Sequence, residues 1–137
     1  MREILFKGKK VNGGEWVEGW YCENNCEHPF APARYDPSII DSEFVIWYKV
    51  NPETVCQFTG KTDKNGVKMW ENDIVKGLLL FGTGINGVVA FKDGSFGLKW
   101  HRGGAEMFTP FAELCNITYE VVGNIFDNPE LMEEGAE

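Results

Sequence analysis

The chain has 137 residues, of which 43% are hydrophobic and 14% aromatic, which excludes wholesale disorder and is enough for one domain with a packed core. Its formal charge of −8 disfavours nucleic acid as a partner, because proteins that bind phosphates are usually basic. The longest apolar run, residues 78–81, is far shorter than the ~20 residues of a membrane span. The N-terminus also lacks the apolar core of a signal peptide, so we expect a cytoplasmic protein with reduced cysteines and no membrane contact.

The first hairpin is predicted over residues 4–23, around the turn signal Asn12-Gly13-Gly14. A three-residue loop would pair Phe6 with Trp20, whereas a two-residue loop would pair Leu5 with Trp20. The sequence leaves both registers open.

A second hairpin is predicted over residues 87–100, where Asp93-Gly94 supplies the positive φ angles of a type I′ turn. Counting outward from this turn places five apolar side chains on one face of the hairpin, with a lighter face opposite. They are Val89, Phe91, Phe96, Leu98 and Trp100.

Further strands are predicted at residues 44–50, 55–59 and 117–126. Gly123 is expected to form a bulge in the last of them. Residues 101–106 are predicted to be a loop, and residues 107–115 have no clear pattern. Asn128-Pro129-Glu130 combines a cap, a proline at the first helical position and an acidic first turn, so it predicts a short C-terminal helix before an acidic tail at 132–137.

Residues 22–43 are the least regular part of the chain, because Pro29, Pro32 and Pro37 forbid a regular helix or a central strand. We predict a loop excursion over the surface here. Several short strands joined by turns predict an all-β fold. In detail we expect a small, strongly bent, SH3-like β-barrel built from hairpins, as a single domain over residues 1–137.

The most distinctive segment is residues 63–75, Asp-Lys-Asn-Gly-Val-Lys-Met-Trp-Glu-Asn-Asp-Ile-Val. Val67 and Met69 alternate as in a strand, but the alternation then slips at Trp70. A slip of one residue would turn every later side chain to the other face, so an unbroken strand is not expected. Glu71-Asn72-Asp73 is the predicted corner, with Asp73 capping it.

Cys22-x-x-x-Cys26-x-His28, with Cys56 and Cys115 elsewhere, could in principle supply zinc ligands. Structural zinc sites usually contain two close pairs, which this chain lacks, so no metal site is predicted. The cysteines are interpreted as buried apolar residues or as loop thiols.

Two further patterns could indicate catalysis or a cofactor. Glu71 and Asp73 are paired carboxylates, but no His or Lys is placed beside them to separate their pKa values. Residues 82–87 match G-x-G-x-x-G but lead into a strand, whereas a dinucleotide site needs a helix there. His28 and His101 have no neighbour in a catalytic spacing. No catalytic residue, cofactor or enzymatic activity is therefore predicted.

Two groups of residues could form binding surfaces. Trp47, Tyr48 and Trp70 could present an aromatic surface, although core packing explains them better. The basic cluster near the N-terminus could be a binding patch, although a solvated strand face is the simpler interpretation. This cluster consists of Arg2, Lys7, Lys9 and Lys10.

Six short blocks, in order along the chain, resemble the YopX family, whose members are encoded by phages and prophages. The blocks are residues 2–9, 15–19, 52–60, 63–75, 94–100 and 119–131. Asn72 stands where the family commonly has Gly, and Asn also tolerates a left-handed conformation. Residues 22–43 match no family pattern.

The resemblance implies a mostly β protein of phage or prophage origin in the cytoplasm of a bacterial host, and it implies no activity. We therefore expect a non-catalytic module that acts through protein contacts, with a homo-oligomer first and a host or phage protein second. The apolar residues on both faces of 44–50 motivate this expectation. A nucleic-acid-binding barrel is the alternative, supported by the fold class and the basic N-terminal strand. A small enzyme or zinc protein is the third hypothesis.

Overall fold

The computed structural model describes residues 3–22, 37–41, 46–79, 85–114 and 117–131. In these ranges the protein is mainly β, as predicted, with two antiparallel sheets and the two 3-10 turns Pro52–Thr54 and Phe111–Glu113. The strands are β1 Phe6–Lys9, β2 Trp16–Cys22, β3 Ser38–Asp41, β4 Ile46–Lys49, β5 Cys56–Thr62, β6 Lys68–Trp70, β7 Asp73–Leu79, β8 Ile85–Lys92, β9 Ser95–Arg102, β10 Ala105–Pro110 and β11 Ile117–Asn124.

The chain divides into two compact units, unit 1 (Met1–Phe58) and unit 2 (Thr59–Glu137). In unit 1 the strand order is β4-β3-β2-β1, and the start of β5 pairs with β1, with Cys56 opposite Lys7. In unit 2 a five-stranded sheet has the order β10-β9-β8-β7-β11. The single domain over residues 1–137 stays a prediction.

The first hairpin has Phe6 opposite Gly19. This is the register that aligns Leu5 with Trp20, so the alternative that paired Phe6 with Trp20 is wrong. The loop itself is longer than either alternative, because the Lys10 N–H donates to the Glu15 carbonyl and leaves residues 11–14 as the connection. Both glycines of the turn signal belong to this loop, with φ angles of +96° and +72°.

The β8–β9 hairpin confirms the turn predicted at Asp93-Gly94, whose φ angles are +51° and +82°. Phe91 lies opposite Phe96, and their rings meet edge to face with centroids 4.9 Å apart. Val89, paired with Leu98 further along the hairpin, is fully buried like its partner.

Val89 and Leu98 of this hairpin's apolar face belong to the core of unit 2, whereas Phe91 near the turn is 54% exposed. Partly buried side chains, among them Phe96, Trp100 and Val121, pack against the core. Burying each large apolar side chain stabilises the fold by roughly 1.5–3 kcal/mol. The buried cluster consists of Met69, Val75, Val89, Leu98, Phe111 and Tyr119.

A third hairpin joins β9 to β10 and was missed from the sequence. Residues 101–106, predicted to be a loop, contain the end of β9, a two-residue turn at Gly103-Gly104 and the start of β10. Both glycines have positive φ angles, +58° and +84°, as a type I′ turn requires. Trp100 lies opposite Met107, and its indole N–H donates diagonally across the two strands to the Thr109 hydroxyl at 3.0 Å.

Part of the predicted loop excursion is also a strand. β3 pairs with β2 through Tyr21 opposite Ile39, and with β4 through Ile39 opposite Tyr48. Ile39 is fully buried, which explains why this short segment orders despite Pro37 just before it. Residues 23–36 of the excursion lie outside the described residues.

The predicted closed barrel is wrong for the part of the chain that the structure describes. The sheet of unit 2 ends in the two outer strands β10 and β11. In unit 1, Val50, which follows β4, and Lys10, which follows β1, form one isolated bridge. Turn spacing predicts how many strands there are, but closure also needs a matching stagger and tilt, which short apolar runs do not encode.

The end of the chain is only partly described. β11 has the bulge predicted near Gly123, because its pairing with β7 shifts between Val121 and Gly123. The predicted C-terminal helix is not confirmed, because residues beyond Leu131 and the acidic tail at 132–137 lie outside the described residues. No helix within the described ranges is long and apolar enough to cross a membrane.

Gly97→Ala tests the close strand packing in unit 2. A methyl group at Gly97 would lie 2.3 Å from the Thr109 carbonyl oxygen and 2.7 Å from Pro110 Cα. We expect the free energy of unfolding to fall by about 1–3 kcal/mol, which is typical of overpacking. Urea unfolding measures this free energy, and Ser95→Ala on the same face of β9 is the control. An unchanged unfolding midpoint in Gly97→Ala would contradict the described packing.

Candidate functional site

Two aspartates are buried in the described part of the chain, Asp63 and Asp73, and the residue Asp63 is 8% exposed. One carboxylate oxygen accepts hydrogen bonds from the backbone N–H groups of Asn65 and Val67, at 2.8 and 2.9 Å. The other oxygen accepts from the N–H of Val121, which is 58 residues away in β11, at 3.0 Å. The side chain therefore closes its own turn and ties that turn to the last strand.

Two opposing effects act on the pKa of Asp63. Burial raises the pKa, but the three backbone hydrogen bonds and the nearby Lys64 ammonium lower it by more, so the net pKa lies below its ordinary value. The carboxylate is thus held in its charged form by donors that belong to the fold, which is the arrangement of a structural group.

A second aspartate fixes the predicted corner between β6 and β7. Asp73 is buried and accepts a hydrogen bond from the Trp70 N–H at 2.8 Å, so its predicted capping role is confirmed. Asn72 has a φ of +69°, the left-handed conformation that Asn tolerates. Its N–H donates to the Val89 carbonyl and its carbonyl accepts from the Ile125 N–H, so the corner also connects to β8 and to the chain after β11.

Asp63 and Asp73 of this segment accept hydrogen bonds from backbone N–H groups, and Glu71 is half-buried at the corner. His101 is exposed in β9, whereas His28 lies outside the described residues. The prediction that the chain has no catalytic residue stays a prediction.

The candidate zinc ligands are only partly described. Cys56 is buried and free, and its thiol donates to the Thr54 carbonyl at 3.2 Å. Cys22 is disulfide-bonded, in contrast to the expectation of reduced cysteines. Cys26, His28 and Cys115 lie outside the described residues, within which no cluster of His, Cys, Asp and Glu could hold a metal. The absence of a metal site or cofactor stays a prediction.

The G-x-G-x-x-G match lies mostly outside the described residues. Its last residues belong to β8, where Gly87 pairs with Val75 of β7. The connection is therefore part of a β-hairpin, as expected, and no helix follows the glycines.

The three aromatic residues suggested as a surface differ in their environments. Trp70 is buried in unit 2, so packing accounts for it. Trp47 and Tyr48 are half-buried neighbours in β4, and adjacent strand residues point to opposite faces, so these two side chains do not share a face.

Unit 1 has a different surface. We name it the Lys–Trp face and define it as Lys7, Lys9, Trp16 and Trp20. The register places Lys9 directly opposite Trp16, and alternation brings Lys7 and Trp20 to the same face. The Lys7 ammonium lies 4.5 Å from the centroid of the Trp16 ring and that of Lys9 lies 5.4 Å away. These are cation–π distances.

The lysines of the basic cluster predicted from the sequence therefore lie on two opposite faces of the sheet. Lys10 lies on the opposite face from Lys7 and Lys9, with its ammonium 4.6 Å from the centre of the Tyr48 ring. It also forms an ion pair with Glu15 at 3.0 Å. Arg2 lies outside the described residues. Alternation along β1 could have predicted this division, but the pairing with Trp16 required the register that the sequence left open.

These features define a small protein of two antiparallel sheets whose most recognisable segment is structural. The YopX protein family matches residues 6–133, and the chain belongs to this family. No curated protein matches the chain.

Asp63→Asn tests the structural role of this carboxylate. The amide cannot provide two acceptor oxygens for three N–H donors, so we expect the free energy of unfolding at pH 7 to fall by about 1–3 kcal/mol. Asp93→Asn in the exposed β8–β9 turn is the control, because Asn also suits that turn. Equal unfolding midpoints for the two variants would contradict the assigned role.

The same pair of proteins tests the pH dependence. Because the pKa of Asp63 is lowered in the folded state, its stabilisation is complete above the ordinary Asp pKa of about 3.9 and is lost as pH falls through the lowered pKa. The stability difference between wild type and Asp63→Asn should therefore be largest above pH ~5 and should shrink towards acid. Urea unfolding across pH 2.5–7 measures this difference, and a gap that widens towards acid would contradict it.

Proposed function

We propose that this YopX-family protein is a phage- or prophage-encoded, non-catalytic module of the bacterial cytoplasm that acts through protein contacts. The first contact is self-association, and a host or phage protein is the next candidate partner. The observation that carries this proposal is the outer position of β4 in the sheet of unit 1.

The backbone of β4 is suited to accept another strand. The Val50 N–H donates to the Pro37 carbonyl, so alternate residues of β4 bond to β3 and the residues between them point their backbone groups outward. Trp47 is such an outward residue. Lys49 is another, and its carbonyl accepts from the Val11 N–H, which limits the accessible edge to the middle of β4.

The side chains of β4 support strand addition. Ile46 is 45% exposed, and Trp47 and Tyr48 are half-buried. Edge strands of this kind pair readily with a second chain unless charges or bulges protect them. In an antiparallel pair of two β4 strands centred on Trp47, Ile46 of one copy lies opposite Tyr48 of the other, a pairing that contributes roughly 0.2–1 kcal/mol. The resulting contact is symmetric, as in most homodimers.

Nucleic-acid binding is the second candidate function, because Lys7 and Lys9 lie over Trp16 beside the exposed Trp20. This candidate uses the face formed by β1 and β2, not the edge of β4.

Sedimentation velocity at 5–100 µM, as a rough working range for weak edge contacts, tests self-association. Wild type should show a concentration-dependent dimer. Trp47→Pro should be monomeric, because proline removes an outward N–H and is tolerated at such an edge position. Ile46→Lys should weaken the dimer through the charge that it places at the edge.

Val67→Lys is the matched control, because Val67 is 49% exposed in a turn of unit 2. Circular dichroism should show a folded protein for all variants. A wild type that stays monomeric throughout the range, or a dimer that Trp47→Pro and Ile46→Lys leave intact, would overturn the proposal.

A further inference from the structure

Three Asn-Gly dipeptides occur in the chain, Asn12-Gly13, Asn65-Gly66 and Asn86-Gly87. Asparagine loses its side-chain amide readily before glycine, because glycine has no Cβ to hinder the approach of its backbone nitrogen to the asparagine Cγ atom. That nitrogen must leave any hydrogen bond that it donates, and the backbone around it must rotate. The fold therefore decides which of the three dipeptides reacts.

The dipeptide Asn86-Gly87 is held inside a sheet. In the pairing of β7 with β8, Asn86 lies opposite Lys76 and Gly87 lies opposite Val75. Gly87 is buried, and a Cβ atom added to it would lie 2.9 Å from the Lys99 carbonyl oxygen of β9. Rotation of this backbone would disrupt the pairing of β8 with its neighbours.

The dipeptide Asn65-Gly66 is exposed, but hydrogen bonds hold its backbone. The Gly66 N–H, whose nitrogen would have to attack, donates to the Asp63 carbonyl at 3.0 Å. The Asn65 N–H donates to the Asp63 carboxylate at 2.8 Å. Both bonds oppose the rearrangement that brings the Gly66 nitrogen to the Asn65 side chain.

The dipeptide Asn12-Gly13 is exposed in the loop between β1 and β2. The last printed bond before this loop joins the Lys10 N–H to the Glu15 carbonyl, outside the dipeptide. Among the described residues, no hydrogen bond holds the Gly13 N–H or the Asn12 side chain. This dipeptide therefore has the accessible asparagine and the unrestrained nitrogen that ring closure needs.

We propose that Asn12 is a site of spontaneous deamidation in the folded protein, because the fold restrains the other two Asn-Gly dipeptides. The Gly13 nitrogen loses its proton to solvent and bonds to the Asn12 Cγ atom, and ammonia leaves. Water then opens the resulting succinimide to aspartate or to isoaspartate, without any change of oxidation state. Either product adds one negative charge to a chain whose formal charge is −8. The reaction needs neither strand addition at β4 nor a nucleic acid.

Mass spectrometry of wild-type protein incubated in neutral buffer measures all three reactions in one sample. After reduction, trypsin separates the three dipeptides into the peptides 11–34, 65–68 and 77–92, and fragment ions locate the modified residue. A sample digested at time zero gives the background. Asn12 should react about 5- to 150-fold faster than Asn65, which corresponds to the two hydrogen bonds that hold Asn65-Gly66. Asn86 should also react more slowly than Asn12.

Guanidinium chloride supplies the reference for the fold, because the three dipeptides are chemically alike once the chain is unfolded. Their rates should then become similar. Equal rates for Asn12 and Asn65 in the folded protein would overturn the proposal. A preference for Asn12 that persists unchanged in guanidinium chloride would also overturn it, because the fold would then not be its cause.

Isoelectric focusing of the intact protein gives a second measurement that needs no digestion. Wild type should accumulate a more acidic species during the incubation. Asn12→Ser should not accumulate it, whereas the matched control Asn65→Ser should do so at the wild-type rate. Equal accumulation in Asn12→Ser and Asn65→Ser would contradict the assignment of Asn12.

Discussion

The structure of unit 2 depends on one buried carboxylate, that of Asp63. A buried charge is costly unless hydrogen bonds compensate it, and here three backbone N–H groups do so. Two of these donors are local and close the turn before β6, while the third belongs to β11. A single side chain therefore joins a turn to the last strand of the sheet, and the Lys64 N–H, which donates to the Tyr119 carbonyl, strengthens the same junction.

The corner at Asn72 extends this junction to the centre of the sheet. The slip in alternation at Trp70 is the point where the chain turns, and Asp73 and the left-handed Asn72 make the turn possible. The corner then bonds to β8 through Val89, a residue of the buried core. The most distinctive segment of the chain thus links β6 and β7 to β8 and β11, and its carboxylates Asp63 and Asp73 accept hydrogen bonds from backbone donors.

Much of the fold could be predicted from local chemistry. The Asp93-Gly94 turn predicted the register of the β8–β9 hairpin, because the turn type determines the register. The bulge near Gly123 was predicted from a single glycine within a strand. The sequence could not define β3, because its short apolar segment follows prolines and orders through the burial of Ile39. Nor could it predict the Val121 partner of Asp63, since that contact requires the complete sheet.

The Lys–Trp face could not be predicted from the sequence either, because it depends on strand pairing. Lysines near the N-terminus were visible in the sequence, but only the pairing of β1 with β2 places Lys9 opposite Trp16 and leaves Trp20 exposed beside them. The YopX family segment that is easiest to recognise lies in unit 2, whereas the surfaces proposed for binding lie in unit 1. The distinctive motif and the proposed binding surfaces therefore lie in different parts of the chain.

The Asp63 carboxylate is charged and bound by three N–H groups in the folded protein. A carbon-13 NMR titration of the aspartate side-chain carboxyls in the native state measures this directly. We predict a titration midpoint for Asp63 below the ordinary value of about 3.9, together with a shift of the Val121 amide resonance over the same pH range. A midpoint at or above the ordinary value, or a Val121 amide that does not respond, would contradict this role of Asp63.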